Sequence, residues 1–202
     1  MRINESEDLV DFDRRAVERS VVVVASVTAS DLDRATPCAG WTLGDLLGHM
    51  IVQHDGFAAA ADGAPADLSR WVANPVGHDP AVEYSAAAAR VVGAFAGHDP
   101  DRGFWLPEIR DGGPFPAAMA IGFHLVDYVV HTWDVAVSMG VGVVFDDDLV
   151  VAALRIAERV PAGAAREVEG AAFKPVLPIP TGSSAIARLL LVLGRDPSWV
   201  AP

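Results

Sequence analysis

Residues 116–139 of this chain, PAAMAIGFHLVDYVVHTWDVAVSM, have a helical pattern and are apolar on nearly every face. With a rise of about 1.5 Å per residue, such a helix would be on the order of 36 Å long, which is typical of a bundle. Gly140 follows and marks its end. Because a helix that is apolar all round must be covered, the segment predicts a helix buried by its neighbours in a bundle.

Three further helices are predicted before this segment. Apolar residues three or four positions apart predict the first, over residues 6–27. Thr42, with Asp45 three residues later, resembles an N-cap with a capping-box acid and predicts the start of the second, which Pro65 and its neighbours end. The tetrapeptide Gly-His-Asp-Pro occurs twice and brackets the third, at about residues 81–95.

The segments after Gly140 are shorter and predict a small addition to the bundle. An acidic start at Asp146 begins one helix, which runs through Arg159, and residues 184–193 form another. Strand patterns are limited to residues 141–145 and 173–179.

Length and composition predict an ordinary globular protein of one compact domain, with 202 residues, 51% of them hydrophobic and 21% charged. The expected fold is mainly α. Residues 1–140 form a four-helix bundle, and residues 141–202 form a C-terminal helical and extended addition packed on it.

Net charge excludes several classes of partner. The chain has 15 basic and 27 acidic residues, a formal charge of −12 and a pI near 4.7, which disfavours contact with nucleic acid or anionic lipid.

The first 15 residues are acidic where a secretory leader would be basic and then apolar, and no apolar run approaches the ~18 residues of a membrane span. We therefore expect a cytoplasmic protein without membrane or nucleic-acid partners.

Cys38 is the only cysteine, so an intrachain disulfide and a multi-cysteine zinc site are excluded. A metal would have to bind histidine and carboxylate side chains. Cys38 lies beside Pro37 and near Trp41, with no basic residue close to it in sequence. This setting favours a buried packing residue over a nucleophile.

A stripe of ionisable residues interrupts the apolar surface of the fourth helix. Its members are His124, Asp127, His131 and Asp134, at positions i, i+3, i+7 and i+10. Asp127 and His131 are four residues apart and can converge on one cation. Spacing alone equally permits an Asp–His hydrogen bond that holds two helices in register. A third ligand would favour the metal, and the second helix has two candidates that point in different directions, His49 and His54.

Two motifs in the chain resemble known signatures. The stretch TPCAGWT at 36–42, followed by DLLGH at 45–49, is similar to the N-terminal signature of the mycothiol-dependent maleylpyruvate isomerase family, part of the DinB-like bundle superfamily. The stretch DYVVHTWDVA at 127–136 is similar to the second signature of that family. The GRDP ending at 194–197 resembles a branch described mostly as metal-binding proteins of unknown substrate.

The resemblance implies a DinB-like four-helix bundle that holds a divalent metal, with zinc as the first expectation and nickel or cobalt as alternatives. Carried over by position, the metal ligands are His49, Asp127 and His131. The isomerase has Glu where this chain has Asp127, so the metal would have to shift or the helix come closer. His124, Asp134 and Trp133 fall outside this ligand set, where support of the ligands or packing is the expected role.

Three protein ligands leave a coordination position open, as in catalytic zinc sites. In this family that position takes the sulfur of a low-molecular-weight thiol such as mycothiol, and the metal provides a thiolate that adds to an electrophilic carbon. The resemblance thus implies a thiol-dependent transferase or isomerase whose partners are a small thiol and an electrophile. Arg188 and Arg195 are candidates to face an anionic substrate, although such arginines are more often solvated.

A second function remains open at this stage. The bundle can equally be a non-catalytic metal-binding or protein-interaction module in which the polar stripe only sets helix register. The sequence also leaves open whether the protein is an enzyme, which electrophile and thiol it uses, and whether two chains form a homodimer.

Overall fold

The computed structural model describes residues 5–109, 112–168 and 171–202, and these residues are mainly helical. The α-helices are α1 (Glu5–Val24), α2 (Leu43–Ala61), α3 (Pro80–Ala96), α4 (Ala117–Ser138), α5 (Asp147–Ala157) and α6 (Ala185–Val192). Single turns of 3-10 helix lie at Ala29–Asp31, Leu68–Trp71 and Ala164–Arg166. All six predicted helices are confirmed, with ends that differ by a few residues at most.

The first four helices form the predicted bundle. Helix α1 packs against α3 and α4, and α2 packs against the same two helices. Each helix of the bundle thus borders two others. Helix α5 packs against α4, α1 and α6, which brings the C-terminal part of the chain to the bundle. The mainly α class and the four-helix bundle are therefore confirmed.

Local sequence signals explain where the helices begin. The Thr42 hydroxyl accepts a hydrogen bond from the Asp45 amide at 3.2 Å, and the Asp45 carboxylate accepts one from the Thr42 amide at 2.9 Å. This capping box is the predicted one, and such caps typically contribute about 1 kcal/mol. At the start of α3 the Asp79 carboxylate accepts a hydrogen bond from the Val82 amide, and Pro80 takes the first helical position.

Helix α4 is buried along nearly its whole length, as its apolar pattern predicts. Leu125, Tyr128 and Val129 are completely buried in a core that all four bundle helices share. Leu149 of α5 and Leu189 of α6 belong to the same core. The apolar faces of the C-terminal helices thus cover part of the bundle.

The two possible strands do not form. Residues 141–145 and 173–179 have no strand structure, and within the described part of the chain the β pairing is limited to isolated bridges. One joins Ala35 to Thr42, and the other joins Phe104 to Phe115. Val143 packs against the helical core, whereas the other β-branched residues of the two segments, Val141, Val144, Val176 and Ile179, are exposed.

Of the helices described, none combines the length and the apolar character that a membrane crossing requires.

Candidate metal centre

The capping box at Thr42 fixes the start of α2 and with it the position of His49, two turns into the helix. The imidazole ring of His49 lies 5.0 Å from the indole of Trp41, centroid to centroid. Its other ring neighbour is His131 of α4, 5.2 Å away in an edge-to-face arrangement. His49 is therefore directed from α2 towards α4.

Asp127 and His131 lie one turn apart on α4 and face His49 together. The carboxylate of Asp127 lies between the two rings, with Oδ1 3.3 Å from His131 Nε2 and Oδ2 3.8 Å from His49 Nε2. One ligand atom from each of the three side chains lies within 4.8 Å of the others. Of the two candidate histidines on α2, His49 is the one that joins this group.

The geometry of the three side chains can be tested against the requirements of zinc. Metal–ligand bonds of about 2.1 Å at tetrahedral angles place two ligand atoms about 3.4 Å apart. The observed 3.3 and 3.8 Å between Asp127 and the two histidines are close to that separation. Two imidazole nitrogens and a carboxylate are also a donor set that zinc accepts in catalytic sites. These residues fit a divalent metal.

The centre is open on one side. The side chains of His49 and Asp127 are 26% and 23% exposed, whereas that of His131 is only 7% exposed. A small molecule can therefore reach the carboxylate of Asp127 and the ring of His49 from solvent, whereas His131 is covered by the protein.

Asp134 contacts the ring of His131 on the side opposite Asp127. The Nδ1 atom of His131 lies 2.9 Å from Asp134 Oδ2, and the Arg195 Nε–H donates to both carboxylate oxygens of Asp134 at 3.2 Å. Because the carboxylate accepts the Nδ1 proton, it is the Nε2 atom, on the side of Asp127, that would give up its proton and offer a lone pair to a metal. Asp134 thus contacts the candidate ligand His131, and Arg195 contacts Asp134 in turn.

Cys38 is buried, but it also has polar partners. Its Sγ lies 3.3 Å from Asp134 Oδ2, and Arg195 Nη2 donates to it at 3.3 Å. His131 Nδ1 is 4.0 Å away, so Cys38, His131 and Asp134 form a second group of potential ligands. The guanidinium of Arg195 already supplies a positive charge there, which disfavours a second cation. The first group is therefore the better candidate.

Charge pairing dominates the ionisation of the centre. Burial raises the pKa of Asp127, but His131 and His49 outweigh burial and hold that pKa well below its usual value. Burial lowers the pKa of His131, but Asp127, Asp134 and Cys38 outweigh it and raise that pKa well above the usual value. Without metal, the centre thus contains a carboxylate paired with an imidazolium. Metal binding must displace that proton, so metal affinity falls as the pH falls.

His124 faces a different part of the bundle. Its Nδ1 lies 2.6 Å from Asp13 Oδ1 of α1, and its Nε2 lies 3.2 Å from Nδ1 of His54. These three side chains are essentially inaccessible to solvent. His54 also stacks on Tyr128, with 4.0 Å between ring centroids. We call Asp13, His124 and His54 the interior triad, and it does not join the metal centre.

The two remaining candidate residues, Trp133 and Arg188, lie outside the group of three ligands. Trp133 is buried in the core. Arg188 is exposed and pairs with Glu158 at 2.8 Å. Neither residue belongs to the group of three ligand atoms.

Sequence reasoning missed two residues beside the centre, Gln53 of α2 and Glu108 of the loop between α3 and α4. The amide of Gln53 donates to the Glu108 carboxylate at 2.9 Å. The one available signal was the position of Gln53, four residues after His49 and so on the same face of α2. The loop has no periodic pattern, and nothing in it indicated Glu108.

Comparisons with known proteins bear on the family and the fold of this chain. The family model of the mycothiol maleylpyruvate isomerase N-terminal domain matches residues 14–136. Two proteins named as uncharacterized, from two strains of Mycobacterium tuberculosis, are each 28% identical to this chain over 189 residues, or 90% of this chain and 94% of theirs. The crystal structure of the mycothiol-dependent maleylpyruvate isomerase matches with a TM-score of 0.54 at 16% identity, covering 80% of this chain and 68% of that one. At this identity the structural likeness shows a shared fold.

Proposed function

The chain belongs to the family of the mycothiol maleylpyruvate isomerase N-terminal domain, as its two motifs predict, and on that premise we propose that it is a metal-dependent protein that activates a small thiol. The proposed metal ligands are His49, Asp127 and His131. The proposed metal is zinc, and the proposed cosubstrate is mycothiol or a thiol like it. The proposed reaction is the transfer of the thiol to an electrophile or an isomerisation through a thiol adduct.

One observation carries this proposal: ligand atoms from two helices meet within 4.8 Å at a partly open position. The alternative role of Asp127 and His131, a hydrogen bond that sets helix register, accounts for two of these side chains. It gives no reason for His49 to face the same carboxylate from α2. A shared divalent cation explains why all three converge.

The protein supplies orientation and access. Asp134 holds His131 so that Nε2 faces Asp127, and Arg195 holds Asp134. The exposed sides of His49 and Asp127 leave room for an incoming sulfur. A bound divalent metal would lower the pKa of that thiol and so favour the thiolate at neutral pH.

A spectroscopic titration tests the proposal. Cobalt replaces zinc in the purified protein, and mycothiol is added while the visible and near-ultraviolet spectrum is recorded. We expect a sulfur-to-cobalt charge-transfer band that saturates with the thiol. The band should be absent from His131→Ala, and the exposed His78→Ala should serve as a matched control with the wild-type spectrum.

Two results would contradict the proposal in different ways. If the folded wild type does not bind cobalt, the metal centre does not exist. If cobalt binds but the spectrum does not respond to saturating thiol, the bundle is a metal-binding module without thiol chemistry, which is the alternative function.

A further inference from the structure

A hydrogen bond ties the loop between α3 and α4 to α2 one turn beyond His49. Gln53 is buried, with only 5% of the residue exposed, and its Nε2 donates to Glu108 Oε2 at 2.9 Å. Glu108 itself is exposed in part, at the surface of the loop. The bond therefore holds a carboxylate at the solvent side of the helix face that carries His49.

The ionisation of Glu108 responds to the metal centre. Partial burial raises the pKa of its carboxyl, the bond from Gln53 and then His49 lower that pKa, and Asp127 raises it, so that the net change is upward. His49 and Asp127 are proposed ligands with exposed sides, and the bond from Gln53 holds Glu108 one helical turn from His49.

The other ionisable groups at the centre already have partners. His49, Asp127 and His131 face one another, and Asp134 is bonded to His131 and Arg195. Among the described residues, Glu108 is bonded only through one oxygen, to an uncharged amide. Its second oxygen can accept a proton.

We propose that Glu108 is a catalytic residue that accepts the proton of the thiol as its sulfur enters the metal centre, an inference that rests on the proposed function. Gln53 is the positioning residue that holds the carboxylate in place. A general base of this kind typically accelerates a proton transfer 10²- to 10⁴-fold.

The step balances without any further reactant. The S–H bond of the thiol breaks and an O–H bond forms on Glu108, while the electron pair stays on sulfur. The negative charge passes from the carboxylate to the thiolate, and Glu108 later releases the proton to solvent. Because burial makes the carboxyl a stronger base, the transfer is more favourable than to a fully solvated glutamate.

The test compares the rate of thiol capture by cobalt-loaded wild type and Glu108→Gln, followed by stopped-flow absorbance. At pH 7 we expect the variant to capture mycothiol about 100-fold more slowly, while its affinity for cobalt is unchanged. The difference should shrink as the pH approaches the pKa of the thiol, because a thiolate has no proton to transfer. Azide binds metals without losing a proton and should bind both proteins at the same rate.

Two further variants distinguish proton transfer to Glu108 from a general effect of substitution on the fold. Glu158→Gln removes an exposed carboxylate that pairs with Arg188 and should capture the thiol at the wild-type rate. Gln53→Met removes the bond to Glu108 and should slow capture of the thiol but not of azide.

The outcomes are distinguishable. Capture of thiol by Glu108→Gln at the wild-type rate overturns the inference alone, and so does an equal slowing for azide. Absence of cobalt binding in the wild type overturns the proposed function and this inference with it.

Discussion

Replacing Asp13 with Asn should destabilise the protein strongly, although Asp13 lies outside the metal centre. Asp13 is 1% exposed, and its Oδ1 lies 2.6 Å from Nδ1 of the completely buried His124. The other oxygen, Oδ2, is buried and has no hydrogen-bond partner among the described residues. Asn therefore weakens a short bond to His124 and adds an amide donor where nothing accepts it.

The size of the loss follows from these two effects. A hydrogen bond to a charged group contributes about 1.5–3 kcal/mol, and a buried donor without an acceptor costs about 1–3 kcal/mol. We expect a loss of about 3 kcal/mol in the free energy of unfolding, or a fall in Tm of about 6–12 °C for a chain of this length.

Urea denaturation in the presence of a chelator measures this loss without a contribution from metal. Asp11→Asn is a matched control on the same helix, because Asp11 is exposed and pairs with Arg14 at the surface. The control should lose less than about 1 kcal/mol. A loss of less than about 1 kcal/mol in Asp13→Asn as well would refute the view that the interior triad ties α1 to α4.

Three further predictions follow from individual side chains. Burial, and then His124, hold the pKa of His54 well below its usual value, so in the unfolded protein this residue gains a proton below about pH 6.5 that it does not gain in the folded protein. The free energy of unfolding therefore falls by up to about 1.4 kcal/mol for each unit by which the pH is lowered below that value. Measured in chelator, His54→Gln should show a shallower fall than wild type, and identical slopes would contradict this. Asp134→Asn should weaken zinc binding about 10- to 100-fold in a competition titration without unfolding the protein, and unchanged affinity would show that Asp134 does not support His131. Gly56→Ala should cost about 1–3 kcal/mol in urea denaturation because its Cβ would lie 2.7 Å from the ring of Trp71, whereas Gly93→Ala, with open space around it, should be neutral or stabilising.

The helices could be predicted because their signals are local. The capping box at Thr42, the Asp79–Pro80 start of α3 and the apolar pattern of α4 each act within a few residues. The pairing of helices is not local, and periodicity alone did not choose between His49 and His54. The family motifs made that choice, and in the structure His49 joins the group of three ligand atoms.

The remaining contacts depend on the packing of distant segments. Arg195 meets Asp134 across 61 residues, and Asp13 meets His124 across 111. From their spacing at i and i+3 on α4, His124 and Asp127 were predicted to share one face of the helix. Because α4 is covered on several sides, the two side chains have different neighbours: His124 meets α1, and Asp127 meets His49.

Zinc titration of metal-free protein tests the central claim most directly. Our account predicts one zinc per chain, and loss of binding in His49→Ala, Asp127→Ala and His131→Ala variants that keep the helical circular dichroism of the wild type. The exposed His78→Ala should bind like wild type. A folded wild type that binds neither zinc nor cobalt nor nickel, or three ligand variants that bind zinc as tightly as wild type, would contradict it.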